Sequence, residues 1–108
     1  MAWVAAATRA ELDGRDVIGI DCRGRRLALY NVDGDILATS DACPHQGASL
    51  SAGCIVGDYI ECPVHFALFD IRTGQSDGAM TTKGVRTFAT RVDGDVIYVD
   101  LPGEENDR

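Results

Sequence analysis

Both histidines of this 108-residue chain fall in two short strings, Cys43-Pro44-His45 and Cys62-Pro63-Val64-His65, with sixteen residues between them. Whatever fold the chain adopts must bring these two segments face to face, because neither string alone supplies enough donors for a metal centre. Each pairs one thiol with one imidazole. Zinc fingers of the Cys₂His₂ kind place both Cys in one segment and both His in the other. The mixed order instead suits a binuclear iron–sulfur cluster with chemically different irons, one carrying two imidazoles in place of two thiolates. Structural zinc is the competing reading of the same four donors, and a colourless protein would favour it. Pro44 and Pro63 stiffen the two turns by fixing φ, and Gly47 lets the chain turn away beyond His45.

The remainder of the chain reads as all-β. Asp13-Gly14, Asp33-Gly34 and Asp93-Gly94 are hairpin signals and Arg23-Gly24 a weaker one. Between them lie β-prone runs at Val17 to Asp21, Arg26 to Val32, Ile36 to Thr39, Val85 to Val92 and Val96 to Val99. In the run from Val85, Phe88, Thr90 and Val92 share one face, with Phe88 and Val92 as inward anchors. No segment offers a long helical period. The expectation is one domain over residues 1–102 with a polar tail at 103–108. A smaller subdomain of about 41–70 carries both strings and a single strand signal at Tyr59-Ile60-Glu61.

Charge narrows the partners. A formal net charge of −7 disfavours nucleic acid and anionic membranes, both of which need basic surface, and favours proteins that present basic patches. Asp41, Asp58, Glu61, Asp70 and Asp77, in or beside the subdomain, are candidate docking acids, although solvated loop charge is the favoured explanation. Nothing reads as a signal peptide or membrane span, so a cytoplasmic, reducing setting is expected, with thiols free to ligate metal. Cys22 and Cys54 lie outside the strings and are expected to be small apolar fillers. Phe66 and Ala67, next to His65, are candidate apolar contacts.

The pattern C-x-H, sixteen residues, C-x-x-H resembles the ligand motif of Rieske [2Fe-2S] proteins. The likeness continues through Leu50-Ser51-Ala52-Gly53, Gly57-Asp58, Ile60-Glu61 and Phe69-Asp70-Ile71-Arg72-Thr73-Gly74. Arg86-Thr87-Phe88, leading into a terminal hairpin, fits as well. The whole resembles the small ferredoxins of bacterial aromatic-ring-hydroxylating systems. That resemblance implies an antiparallel β-sandwich bearing a cluster-binding subdomain. Carried over position by position, Cys43 and Cys62 take the inner iron of one [2Fe-2S] cluster and His45 and His65 the outer iron.

Where the chain departs from the family is informative. Respiratory Rieske proteins carry a disulfide at the positions of Ala48 and Val64, and Ser and Tyr hydroxyls at those of Ala67 and Phe69. Without those donors the reduced cluster is less stabilised, which implies a potential near the low end of the class span of roughly −150 to +300 mV. The implied role is one-electron transfer from a flavin-containing NAD(P)H-dependent ferredoxin reductase to a terminal oxygenase. No histidine is left for a mononuclear iron, and no G-x-G-x-x-G fingerprint appears, so the chain is not expected to be an enzyme itself. A non-catalytic Rieske subunit or redox module, such as a nitrite reductase small subunit, is the alternative.

Overall fold

The computed structural model of the chain describes residues 2–44, 48–64, 66–79, 81 and 83–101. Along it run β1 (Trp3–Thr8), a single helical turn α1 (Arg9–Leu12), β2 (Val17–Cys22), β3 (Arg25–Val32) and β4 (Asp35–Ser40). A 3₁₀ turn (Leu50–Ala52) and three short strands follow: β5 (Cys54–Val56), β6 (Tyr59–Glu61) and β7 (Leu68–Asp70). The chain closes with β8 (Thr87–Phe88), β9 (Thr90–Asp93) and β10 (Val96–Asp100). These form three antiparallel sheets in the orders β1-β10-β9, β2-β3-β4-β8 and β5-β6-β7. The fold is all-β, as the turn spacing predicts.

The middle sheet is covered on both sides. In β3, Leu27 and Leu29 point into a core shared with Leu12, Phe88, Ile97, Val99 and Leu101. Ala28, Tyr30 and Val32 point the other way, into a second core with Cys43, Leu50, Ile60, Cys62, Phe69 and Ile71. Side chains alternate along a strand, so an unbroken apolar run such as Leu27-Ala28-Leu29-Tyr30 needs a layer on each face. Each large side chain fully buried there contributes ~1.5–3 kcal/mol. One face completes the sandwich; the other supports the segment that carries both Cys strings.

Several expectations are refined. The Asp33-Gly34 and Arg23-Gly24 turns are two-residue hairpins with φ positive at both residues (53° and 89°, 54° and 80°), so the weaker Arg-Gly signal builds the same geometry. Asp13-Gly14 is not a hairpin; it terminates α1, whose start is a Thr8/Glu11 capping box. The run from Val85 to Val92 is not one strand. It breaks at Ala89, where the chain passes from the middle sheet (Phe88 opposite Ala38) to the outer one (Val92 opposite Ile97). Phe88 is inward as expected. Val92 faces the same side as Ile97 but lies on the edge strand β9, and 37 % of it stays exposed. Tyr59–Glu61 proves to be the centre of a three-stranded sheet, not a lone strand. Among the described residues no helix is long and apolar enough to cross a membrane.

Candidate metal centre

Two loops of equal size bring the cysteines together. The first follows β4 and is pinched by a bridge between Ala42 and Ser49; inside it the Cys43 N–H donates to the Ala48 carbonyl at 2.8 Å. The second joins β6 to β7, and there the Cys62 N–H donates to the Ala67 carbonyl, also at 2.8 Å. In both, a Pro directly follows the Cys and the loop closes five residues on. The expected stiff turns are thus present at Pro44 and Pro63. His45, His65 and Gly47 lie outside the described residues.

Cys43 and Cys62 are 1 % and 0 % exposed and share the second core, their side chains within hydrogen-bond contact of one another. Burial pushes the Cys62 thiol above its ordinary pKa. A hydrogen bond from the Val64 backbone opposes the rise, and the neighbouring Cys43 adds to it. The buried Cys62 thiol, touching Cys43, resists ionisation unless a cation supplies the missing countercharge, which is what a bound metal does. The donor set therefore fits an iron–sulfur group on its sulfur side.

The remaining cysteines separate cleanly. Cys22 packs in the first core, across the middle sheet from Cys43 and Cys62. Cys54 is no filler: it lies exposed on the edge strand β5 opposite Glu61, and only Ile55 of that strand turns inward. Phe66 is 66 % exposed with φ 60°, and Val64 beside it is 38 % exposed, so the second loop presents an apolar tip. Ala67 is buried and accepts the loop-closing bond, which removes it as a surface contact. Phe69 is fully buried beneath the loop.

The acids divide as well. Asp58 and Asp77 are exposed and Glu61 half-buried. Asp70 turns its Oδ1 to the N–H groups of Arg72 and Thr73, ending β7. Asp41 is not a docking acid at all. It is 1 % exposed and takes hydrogen bonds from Ser49, Ser51 and Arg26. Sequence reasoning missed this because those partners lie eight to fifteen positions away. The available signal was an acid two residues before a ligand candidate, with serines at the far end of the same loop.

The Rieske [2Fe-2S] domain family matches residues 2–89. The ferredoxin component of the naphthalene 1,2-dioxygenase system of Pseudomonas aeruginosa is 37 % identical over 99 residues, covering 92 % of this chain and 95 % of that protein. Among solved structures, a ferredoxin of Sphingomonas yanoikuyae superposes with a TM-score of 0.85 at 27 % identity, covering 94 % of this chain and all of that one (100 %). The ferredoxin in a complex of reduced oxygenase and oxidized ferredoxin of carbazole 1,9a-dioxygenase superposes with a TM-score of 0.82 at 31 % identity, covering 90 % of this chain and 100 % of that one.

Proposed function

The chain belongs to the Rieske [2Fe-2S] domain family, and on that premise we propose that it carries single electrons within a multicomponent aromatic-ring-hydroxylating system. Cys43 and Cys62 hold one iron as thiolates, and His45 and His65 hold the other, each through one ring nitrogen. When bound, the cluster takes up one electron and gives it back. The observation carrying this reading is the matched pair of buried cysteine loops, in a chain aligned over 92 % of its length with a dioxygenase ferredoxin component.

The chain's own residues do three things. The second core excludes water from the two sulfurs, which keeps the thiolate side dry. The Val64 backbone donates toward the Cys62 sulfur and favours its charged form. Ala67 and Phe69, both buried and without hydroxyls, add no further donor, which keeps the potential at the low end of the class. The exposed tip at Val64 and Phe66 flanks His65 in sequence and gives partners an apolar contact beside the outer iron.

A flavin-containing ferredoxin reductase is the electron source and a terminal oxygenase the acceptor. The carbazole relative, named in complex with its oxygenase, supports the second pairing. With a net charge of −7 the encounter is weak, fast and salt-sensitive. The setting is the cytoplasm. The chain acts as one domain over residues 1–102, with about 41–70 as the cluster-binding part.

Visible absorption and EPR of purified protein test the cofactor. A red-brown protein with an anisotropic reduced signal is expected; a colourless one ends the reading. His65→Ala abolishes the spectrum, whereas Cys22→Ser and Cys54→Ser retain it. Mixing with reductase and oxygenase should then support many turnovers, which a structural subunit or redox module would not.

A further inference from the structure

Asp41 is the most deeply buried acid among the described residues, and its carboxylate joins three parts of the chain. Its Oδ1 accepts the Ser51 N–H at 2.8 Å, and its Oδ2 accepts the Ser49 hydroxyl at 2.7 Å and the Arg26 Nε–H at 3.3 Å. The backbone repeats the pattern: the Asp41 carbonyl accepts the Leu50 N–H at 2.7 Å, and its N–H donates to the Arg26 carbonyl at 3.2 Å. Each bond ties the start of the Cys43 loop either to the end of that loop or to β3. Room for the arrangement comes from Gly19, where an added Cβ would fall 2.4 Å from Ser51 Oγ and 2.7 Å from Arg26 Nη2.

The charge is felt at Tyr30, a neighbour of the cysteines in the second core. Tyr30 is fully buried there with Cys43 and Cys62. Burial raises its hydroxyl pKa most, a hydrogen bond with Thr39 lowers it, and the Asp41 charge raises it further. A buried charge carries a desolvation cost that its ion pair seldom recovers, yet three donors converge on the two oxygens here, and an amide, with one acceptor oxygen, could not receive them all. Its place two residues before Cys43 gives the charge a second effect.

We propose that Asp41 is a positioning residue for the cluster, fixing the Cys43 loop and setting a negative charge beside the thiolate side that favours the oxidised state. This rests on Cys43 being a ligand, as read above. Four variants of the cluster-loaded protein test it: Asp41→Asn at the buried acid, Arg26→Gln at its partner, whose side chain is 51 % exposed, and Asp35→Asn and Arg72→Gln at an ion pair of 2.9 Å exposed on both sides. The two pairs undergo the same charge changes in different surroundings.

Chelator-driven loss of the visible spectrum should be ~10-fold faster or more in Asp41→Asn. Its reduction potential should shift upward, and that of Arg26→Gln downward, while the exposed pair leaves both quantities near wild type. A role confined to folding would accelerate release without opposite shifts in potential. If Asp41→Asn does not load, Ser49→Ala removes one tie with no change in charge; it should release the cluster faster with little shift in potential. Asp41→Asn matching Asp35→Asn in release and potential overturns the proposal, as does a Ser49→Ala release rate equal to wild type. A wild-type protein without the spectrum overturns the ligand reading instead.

Discussion

The loops that present Cys43 and Cys62 share one closing bond, Cys N–H to the carbonyl five residues on, yet they are held in place by different means. The second is the connection of a hairpin: Glu61 pairs with Leu68 on either side of it, and the ladder continues through Ile60 and Phe69 to Tyr59 and Asp70. The first leaves β4 and enters a 3₁₀ turn, with one isolated bridge across its base and a buried carboxylate beneath. A continuous backbone ladder holds one loop; the other adds side-chain chemistry at Asp41 to one bridge and a few isolated backbone bonds. Backbone pairs persist through most substitutions, whereas a single side chain can be deleted. The first loop is therefore the one that sequence change can tune.

The largest effect on this contrast should come from the core beneath the hairpin. Phe69 is fully buried on β7, directly after the second loop. Phe69→Ala should cost ~3–5 kcal/mol in urea unfolding followed by circular dichroism. A loss below about 1 kcal/mol would mean that the ladder holds the loop without the core. Next comes Gly53, where an added Cβ would stand 1.9 Å from the Glu61 carbonyl oxygen, one residue before Cys62. Gly53→Ala forces backbone to move and should cost ~1–3 kcal/mol, together with faster cluster release. On the first loop, Ser49→Ala removes one hydrogen bond to a carboxylate and should cost ~1–2 kcal/mol. If Ser49→Ala proved more damaging than Gly53→Ala, the roles assigned to the two loops would be reversed.

The contrast also accounts for what could be read without a structure. The two Cys strings, the hairpin at Asp33-Gly34, the signal at Asp93-Gly94 (whose turn falls one residue on, at Gly94-Asp95) and the doubly apolar β3 are local signals, and local signals survive in sequence. The passage from one sheet to the other at Ala89 follows no local rule: Thr87 to Val92 still reads as one alternating run. Half of β1 is alanine, a weak strand former, and the run is a strand because β10 pairs with it. Cys22 and Cys54 look alike in sequence, and only the sheet order makes one buried and the other exposed. Asp41 reads as surface charge until Ser49, Ser51 and Arg26 are seen to surround it. Long-range pairing decides each of these cases.

The smallest predicted effect concerns the tip of the second loop. Phe66 holds φ at 60°, in the left-handed region, and the residue is 66 % exposed. For a non-glycine residue that conformation costs ~1–2 kcal/mol, and so exposed a residue regains little by burial. Glycine removes the strain but adds ~0.5–1 kcal/mol of chain entropy to the unfolded state. Phe66→Gly should therefore raise stability slightly, by about 0.5 kcal/mol, read as a higher urea midpoint. Phe66→Ala keeps the strain and should stay within ~0.5 kcal/mol of wild type. Both should retain the visible spectrum and slow electron delivery to the oxygenase, because a partner's apolar contact is lost while the cluster is untouched. That result would place retained backbone strain in the second loop beside a retained buried charge in the first. A lower midpoint for Phe66→Gly would instead mean that the ring packs against the protein, and the tip would lose its claim as a contact surface.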